Sequence, residues 1–498
     1  MRKKKPDIDE LVRRATAGRR PDAARMFRPS QAYALLNDPF CLWCDYHAPK
    51  SGAVDETTRF EKLRMGWGSQ YETQWVKENH ADAVHIDVPW GILALRATLQ
   101  AMIDGAPAIH GAHLWDLGHE TYGIADLLVR LEDASSDLGP YYEVTEVKRS
   151  REARDYHIVQ AGAYNRALAR IQRHSASAVQ IALKDGVRGI DAGGAEAELD
   201  KALALWKDIR DGRLKPDLPA YDEASSPWRL YANKLLKRRG DLTLCPMFSA
   251  SARNKLTRRL GVKRVKDLED HDLADFQEAL GPIAGRHTWY RYEAHRSGRP
   301  VLADGETLSI PRGKRNLYFD FETAGGEHPT VPPHAYMIGV YDLEQAKYVS
   351  FVAKGPQDEE RMTREFLAYV GPPKDVCLYH WTSYELGVLA DLSERHPALA
   401  RPIGRVREAC VDLKKCVDKR VFFGTRTYSI KEVAPFLGFH WRQEDVDAME
   451  SMVLYWEWLE DGDETKIAKV ICYNEDDCRA MDHVHRALAG LERGGGRT

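Results

Sequence analysis

Asp126 sits in the run GIADLLVR, and Glu146 and Lys148 sit in EVTEVKR. Both runs read as strands, and strand alternation turns Glu146 and Lys148 to one face. Two carboxylates on neighbouring strands can share a divalent cation, which takes oxygen ligands and polarises a phosphodiester. A lysine two residues past one of them can orient or activate an attacking water and offset charge on the phosphate. Gln160 and Tyr164 are four apart on a helical stretch and share a face. Glu72, on a helical stretch after the Gly-rich MGWGSQY, is a candidate third carboxylate. An acid and a lysine two apart in a strand are common, and alone they mark a solvated face. The ordered series gives the pair its weight. Glu143, on the other face from Glu146, is a decoy.

A second set lies near the C-terminus. In LYFDFET, Asp320 and Glu322 are two apart in an otherwise apolar strand, so both point the same way. Two charges on one face of a buried strand are costly unless a cation neutralises them. In YNEDD, Tyr473 precedes Asp477 by one helical turn. A tyrosine so placed can orient a nucleophilic water while the aspartate holds metal. Asp476 faces another side of that helix and is expected to meet solvent. His380 and Asp391 are possible helpers.

The order Glu72, Asp126, Glu146-Val-Lys148, Gln160-x-x-x-Tyr164 resembles the RecB-like branch of the PD-(D/E)xK nucleases. That resemblance implies metal ligation by Glu72, Asp126 and Glu146, a catalytic Lys148, and help from Gln160 and Tyr164 in positioning DNA. The C-terminal set resembles the DEDD exonucleases of ribonuclease H-like fold, in their tyrosine-bearing form. There Asp320, Glu322 and Asp477 would hold metal and Tyr473 would serve the reaction. The family's middle acid is an Asp early on a helix, whereas the matching LYHWTSYELGVL offers Glu385. A longer arm shifts the geometry of a site whose two ions lie about 3.5–4 Å apart, so a module that binds without cutting is the alternative. Together the two sets resemble bacterial two-module nucleases, over about residues 28–490. The implied cofactor is Mg²⁺ or Mn²⁺ at both sites. The implied partner is DNA, single-stranded or at frayed ends, with RNA processing by the DEDD module as an alternative. A nucleic-acid-binding scaffold with one or both sites inactive is the rival from another class.

The elements that must carry these residues give an α/β multidomain chain: a restriction-endonuclease-like α/β module, a small helical connector and a ribonuclease H-like α/β module. Helical periodicity at Phe60–Asn79 and Tyr156–Ile171 brackets strands at Gly123–Leu131 and Tyr141–Arg149, with a hairpin at DASSDLG. Later strands are expected at 316–323, 335–342, 346–353 and 376–380, and a last helix at Thr465–Leu491. The boundaries fall at 1–27 (tail), 28–215 (first module), 216–310 (connector), 311–492 (second module) and 493–498 (tail).

Composition fits this picture. The chain has 498 residues, 43% of them hydrophobic and 30% charged, as expected of about three globular domains. Its 72 basic and 75 acidic residues leave −3, so any nucleic-acid contact must come from local patches rather than bulk charge. The connector supplies one, with Lys237, Arg238, Arg258 and Arg259 around a helix–Gly turn–helix pattern; a solvated connector is the competing reading. Trp289, Tyr290 and Tyr292 could stack on bases, though core packing is the commoner use. No apolar run approaches the roughly 20 residues of a membrane span, and the start carries no secretory signal, so a cytoplasmic, non-membrane protein is expected. Cys41 and Cys44, with His47 and the distant Cys245, read as buried thiols rather than an iron–sulfur cluster or zinc site.

Overall fold

The computed structural model describes residues 7–22, 25–49, 54–324, 331–443 and 445–493. It divides into two compact units, Met1–Thr57 with Lys62–Asn233, and Thr58–Glu61 with Lys234–Thr498. No described helix is long and apolar enough to cross a membrane. Of the C-terminal tail at 493–498, all but Arg493 lies outside the described residues.

The first unit is built on a six-stranded sheet in sequential order: β1 (Val84–His85), β2 (Ala108–Asp116), β3 (Thr121–Ser136), β4 (Gly139–Val147), β5 (Ala178–Leu183) and β6 (Gly186–Asp191). The β3–β4 hairpin turns where the sequence placed it, with Ser136 opposite Gly139. Strand β5 then joins parallel to β4, after a crossover through the helix Asp155–Gln172. That helix packs Tyr164, Ala167, Leu168 and Ile171 into the same core as Leu128, Tyr142 and Val144. The other face of the sheet receives Val76, on the helix Arg59–Asn79, against Ala108, Leu127 and Val147. Strands β1, β2, β5 and β6 were not expected. In β2, AIHGAHLWD, two histidines and a glycine interrupt the apolar pattern, and β6 is largely exposed with no apolar face to mark it.

The second unit carries a five-stranded sheet in the order β10–β9–β8–β11–β12. These strands are β8 (Arg315–Ala324), β9 (His334–Asp342), β10 (Lys347–Val352), β11 (Val376–His380) and β12 (Cys410–Asp412). The first three form an antiparallel meander, and β11 and β12 then extend the sheet parallel to β8. Central β8 alternates cleanly. Leu317, Phe319 and Phe321 enter one core with Phe366, Leu389 and Ile403, whereas Tyr318 enters the other with Met481, Val484 and Leu488 of the final helix Glu464–Arg493. Period two therefore turns Asp320 and Glu322 toward that helix. A short pair, β7 (Val301–Leu302) with β13 (Val421–Phe422), completes the strands.

The basic segment belongs to this second unit from Lys234 onward, and the part of the expected connector up to Asn233 falls in the first unit. Its helices are Ala250–Leu260, Leu273–Leu280 and Pro282–Ser297, with Gly261 ending the first in the left-handed region at φ 75°. Tyr290 stacks on Phe422 and Tyr292 on Phe276, and both are buried. Their rings are core, which removes the base-stacking reading for these two.

Candidate active site

Asp320, Glu322 and Asp477 place ligand oxygens within 4.8 Å of one another; among the described residues theirs is the one such group of three. The final helix supplies Asn474 and Asp477 one turn apart, which puts both on its sheet-facing stripe. Asn474 Nδ2 donates to Asp320 Oδ2 at 3.0 Å and to Glu322 Oε1 at 3.2 Å, fixing the two carboxylates relative to each other. Ser451 Oγ donates to Glu322 Oε2 at 3.2 Å. Asp477 Oδ1 accepts from Trp441 Nε1 at 2.7 Å and from Lys431 Nζ. That ammonium also lies 3.8 Å from the centre of the Tyr473 ring.

Burial holds the pKa of all three carboxyls above its ordinary range, and repulsion from the neighbouring acids adds to it at Asp320 and Glu322. Glu322 is pushed up to about 7 by burial and the charge of Asp477. Asp320 is raised well above the usual range by burial, then by Asp477, Glu322 and Glu385. Burial also raises Asp477, against the lowering pull of Lys431 and Trp441. Tyr473 is raised by burial and the surrounding carboxylates, so it stays a phenol.

Asn474 explains a glycine. A Cβ at Gly339 of β9 would stand 1.6 Å from Asn474 Oδ1 and 2.6 Å from the Tyr348 hydroxyl, and that hydroxyl donates to the same oxygen at 2.9 Å. Gly339→Ala should therefore expel Asn474 from between the acids. We expect a loss of about 1–3 kcal/mol in chemical denaturation, together with weaker retention of divalent cations by the C-terminal site.

Glu385, buried at the start of the helix Tyr384–Arg395, is not drawn into this cluster. Its Oε2 accepts from Thr382 Oγ1 at 3.3 Å and lies 3.3 Å from His380 Nδ1, while its charge still reaches Asp320. Asp391 lies beside a different cavity, with Arg395 and His334. Asp476 does not meet solvent as expected: it is buried, and its carboxylate accepts from both the backbone N and Nε of Arg442 at 2.7 Å.

In the first unit the acids meet in a fork. Strands β3 and β4 pair as far as Leu127 opposite Thr145; beyond it β3 continues with β2, and β4 with β5. Side chains fill the gap. Glu146 Oε1 accepts from the backbone N of Asp126 at 3.2 Å, and Asp126 Oδ2 accepts from the backbone N of Val147 at 2.8 Å. Lys148 Nζ bridges Asp126 Oδ2 at 2.9 Å and Glu146 Oε2 at 2.8 Å. Burial, then the charge of Asp126, pushes Glu146 up to about 8, despite Lys148. Burial alone would lower the Lys148 ammonium, but the two carboxylates outweigh it and raise it.

Tyr164 is buried beside these acids, hydrogen-bonded by the Gln160 side chain, and a Cβ at Gly123 would stand 2.8 Å from its ring. Glu72 is held elsewhere, its Oε1 2.9 Å from His110 Nε2. His157, one turn before Gln160, was not foreseen; burial and the charges of Lys148 and Arg154 lower it to about 4, so it is neutral at physiological pH.

Glu322 and Glu146 share one linkage sign. Each is raised above its unfolded value near 4.5, so the stabilisation it brings is complete below that value. It is lost as pH rises through about 7 for Glu322 and about 8 for Glu146. Chelator-treated protein should melt at progressively lower temperature from pH 6 to pH 9, and excess Mg²⁺ should flatten that slope; calorimetry across the range checks both.

Lys237 and Arg238 are exposed at the end of the helix Arg229–Arg239, as are Arg258 and Arg259 at the end of Ala250–Leu260. Arg259 spends one guanidinium donor on the Glu278 carbonyl at 3.0 Å. A cleft of about 710 Å³ on this segment is instead walled by Arg239, Arg253, Lys263 and Arg264, with Asp241 and Asp267. Cys41 and Cys44 are both buried, and Cys41 Sγ donates to Asp38 Oδ2 and to the Ser225 carbonyl, each at 3.1 Å. Cys245 packs in the core formed by Phe248, Leu256 and Phe276.

The second unit thus presents a mixed sheet with carboxylates on its central strand facing an acid on the last helix. Residues 317–489 match the family model of the RNase_H superfamily. Among solved structures, the chain is similar to the family B DNA polymerase from the hyperthermophilic archaeon Pyrobaculum calidifontis, at 18% identity and a TM-score of 0.27. The match covers 46% of this chain and 35% of the polymerase, so it spans about a third of that protein's length. No curated protein matches the chain.

Proposed function

We propose that this protein is a divalent-metal-dependent nuclease, which hydrolyses phosphodiester bonds at Asp320, Glu322 and Asp477 and carries a second site at Asp126, Glu146 and Lys148. The convergence of the three C-terminal carboxylates, inside the segment that matches the RNase_H superfamily, is the observation that carries this reading. Mg²⁺ or Mn²⁺ fits the donor set, which is all carboxylate oxygen with every pKa raised by burial, a cost that a cation removes. When bound, such a cation polarises the phosphodiester for attack by water.

The chain's own groups supply the rest. Tyr473 keeps its proton and donates it in a hydrogen bond to orient the water. Lys431 holds a positive charge at Asp477, where it offsets charge gathering on the phosphate. Asn474 keeps Asp320 and Glu322 at fixed separation, and Glu385 contributes charge from an outer position. In the fork Lys148 is the catalytic lysine. Buried Tyr164 positions the substrate through Gln160, and Glu72 stands behind His110. A DNA strand, single or frayed, follows from the RecB-like resemblance of this second set. Lys237, Arg238, Arg258, Arg259 and the cleft beside them would hold its backbone.

The test is digestion of end-labelled single-stranded DNA with Mn²⁺ by wild type, Lys148→Ala and Asp320→Ala. Loss in Asp320→Ala alone makes the ribonuclease H-like site the engine; loss in Lys148→Ala alone transfers that role to the fork. Wild type that cuts neither this strand, duplex DNA nor RNA would overturn the proposal in favour of a binding scaffold.

A further inference from the structure

Parallel strands β11 and β12 end side by side at His380 and Asp412, and an open cavity of about 710 Å³ lies at those ends. Crevices outside the carboxyl ends of parallel strands are where α/β sheets take ligands, and this volume lies in the range of small-molecule sites. One wall carries an unsatisfied group. His380 is wholly buried, its Nδ1 faces the Thr382 carbonyl, and its Nε2 has no hydrogen-bond partner among the described residues. Because Nδ1 meets a carbonyl, it carries the proton, which leaves Nε2 as an acceptor. Buried polar atoms are rarely left alone, so a ligand donor is the natural partner.

The rest of the lining asks for an anion. Lys415 and Arg420 bring two cations, and Thr307, Ser309 and Ser383 bring hydroxyls. Arg420 Nε lies 3.8 Å from Glu306 Oε2, and its Nη1 donates to the Cys416 carbonyl at 3.1 Å. Asp412, the acid of the cavity, is engaged by the backbone N of Lys415 at 2.9 Å. A ligand that combines a negative charge with a hydroxyl donor, at this size, is a nucleotide.

We infer that this cavity seats one nucleotide of the substrate strand, with its phosphate against Lys415 and Arg420 and a sugar hydroxyl donating to His380 Nε2. This rests on the nuclease reading, because His380 also touches Glu385, whose charge bears on Asp320. The seat thus adjoins the reacting carboxylates without belonging to them. The hydroxyl is either the 2′-OH of RNA or the terminal 3′-OH of DNA.

Titration calorimetry on the full chain with nucleoside 5′-monophosphates tests this without turnover. Ribo-, deoxyribo- and 2′,3′-dideoxynucleotides of one base are compared. We expect binding in the micromolar to millimolar range, weakened at least tenfold in the surface double variant Lys415→Ala/Arg420→Ala, and several-fold weaker for the dideoxynucleotide than for one of the other two. Preference for the ribonucleotide assigns the 2′-OH; equal binding of ribo- and deoxyribonucleotide assigns the 3′-OH. Binding that ignores both the double variant and the missing hydroxyls would overturn the proposal, as would no binding at all. A wild type that cleaves strands but fails these titrations refutes the seat alone. One that binds nucleotides through Lys415 and Arg420 yet cleaves nothing refutes the nuclease reading alone.

Discussion

Asp320→Asn should reduce cleavage by the C-terminal domain about a thousandfold while leaving the fold intact. Metal-assisted charge stabilisation is worth several kcal/mol, and each ~1.4 kcal/mol is a factor of ten in rate. The fold survives because Asn474 Nδ2 still finds a side-chain oxygen at position 320, and because the substitution removes one of the repelling charges that raise this cluster. Without metal the variant should therefore melt no lower than wild type. With Mg²⁺ its stabilisation should shrink, what remains belonging to the N-terminal fork. A variant that binds and cuts like wild type would remove Asp320 from the site.

Lys148→Met should do the opposite to stability. Removing one partner from a buried ion pair strands the other, at about 3–5 kcal/mol in general. Two of the three groups here are slightly exposed, at 17% for Lys148 and 14% for Asp126, so the lower end, about 3 kcal/mol, is expected. Glu146, wholly buried, loses the cation that opposes its burial, and its carboxyl holds its proton to still higher pH. Adding Glu146→Gln to this variant should restore most of the lost stability but none of the cleavage at the fork. Denaturant melts of the single and double variants, run with chelator, separate the two effects. A single variant as stable as wild type would mean that the lysine does not hold the fork together.

The contrast between these variants follows what each set left visible in the chain. LYFDFET marked its two acids because alternation alone turns them to one face of an apolar strand. YNEDD disclosed Tyr473 and Asp477 through a one-turn spacing. Asn474 was legible by the same rule, since it is one turn from Asp477, but an amide between acids gave no reason to prefer it. Lys431, Trp441 and Ser451 were not legible, because each meets the carboxylates only through the fold: Lys431 and Trp441 lie 46 and 36 residues before Asp477, and Ser451 lies 129 residues after Glu322. Asp476 misled because helical phase predicts which way a side chain leaves its own helix, not that Arg442 will cover it. Strand β8, with its alternation, and β9, buried along its whole length, each fell within a residue of expectation. Strand β2 did not, since His110, Gly111 and His113 hide its apolar face.

The fork has a use as a gauge. Its oxygens are shared between the main chain and any incoming cation: Glu146 Oε1 occupies the amide of Asp126, and Asp126 Oδ2 occupies the amide of Val147. An oxygen that turns to a cation must release its amide. The next amide along, Lys148 N, bonds the Ala182 carbonyl at 2.8 Å and is indifferent to that exchange. Amide hydrogen exchange at positions 126 and 147, read against 148 in the same molecule, should therefore report occupancy of the first unit directly, with faster exchange on adding Mg²⁺ and without any substrate or cleavage.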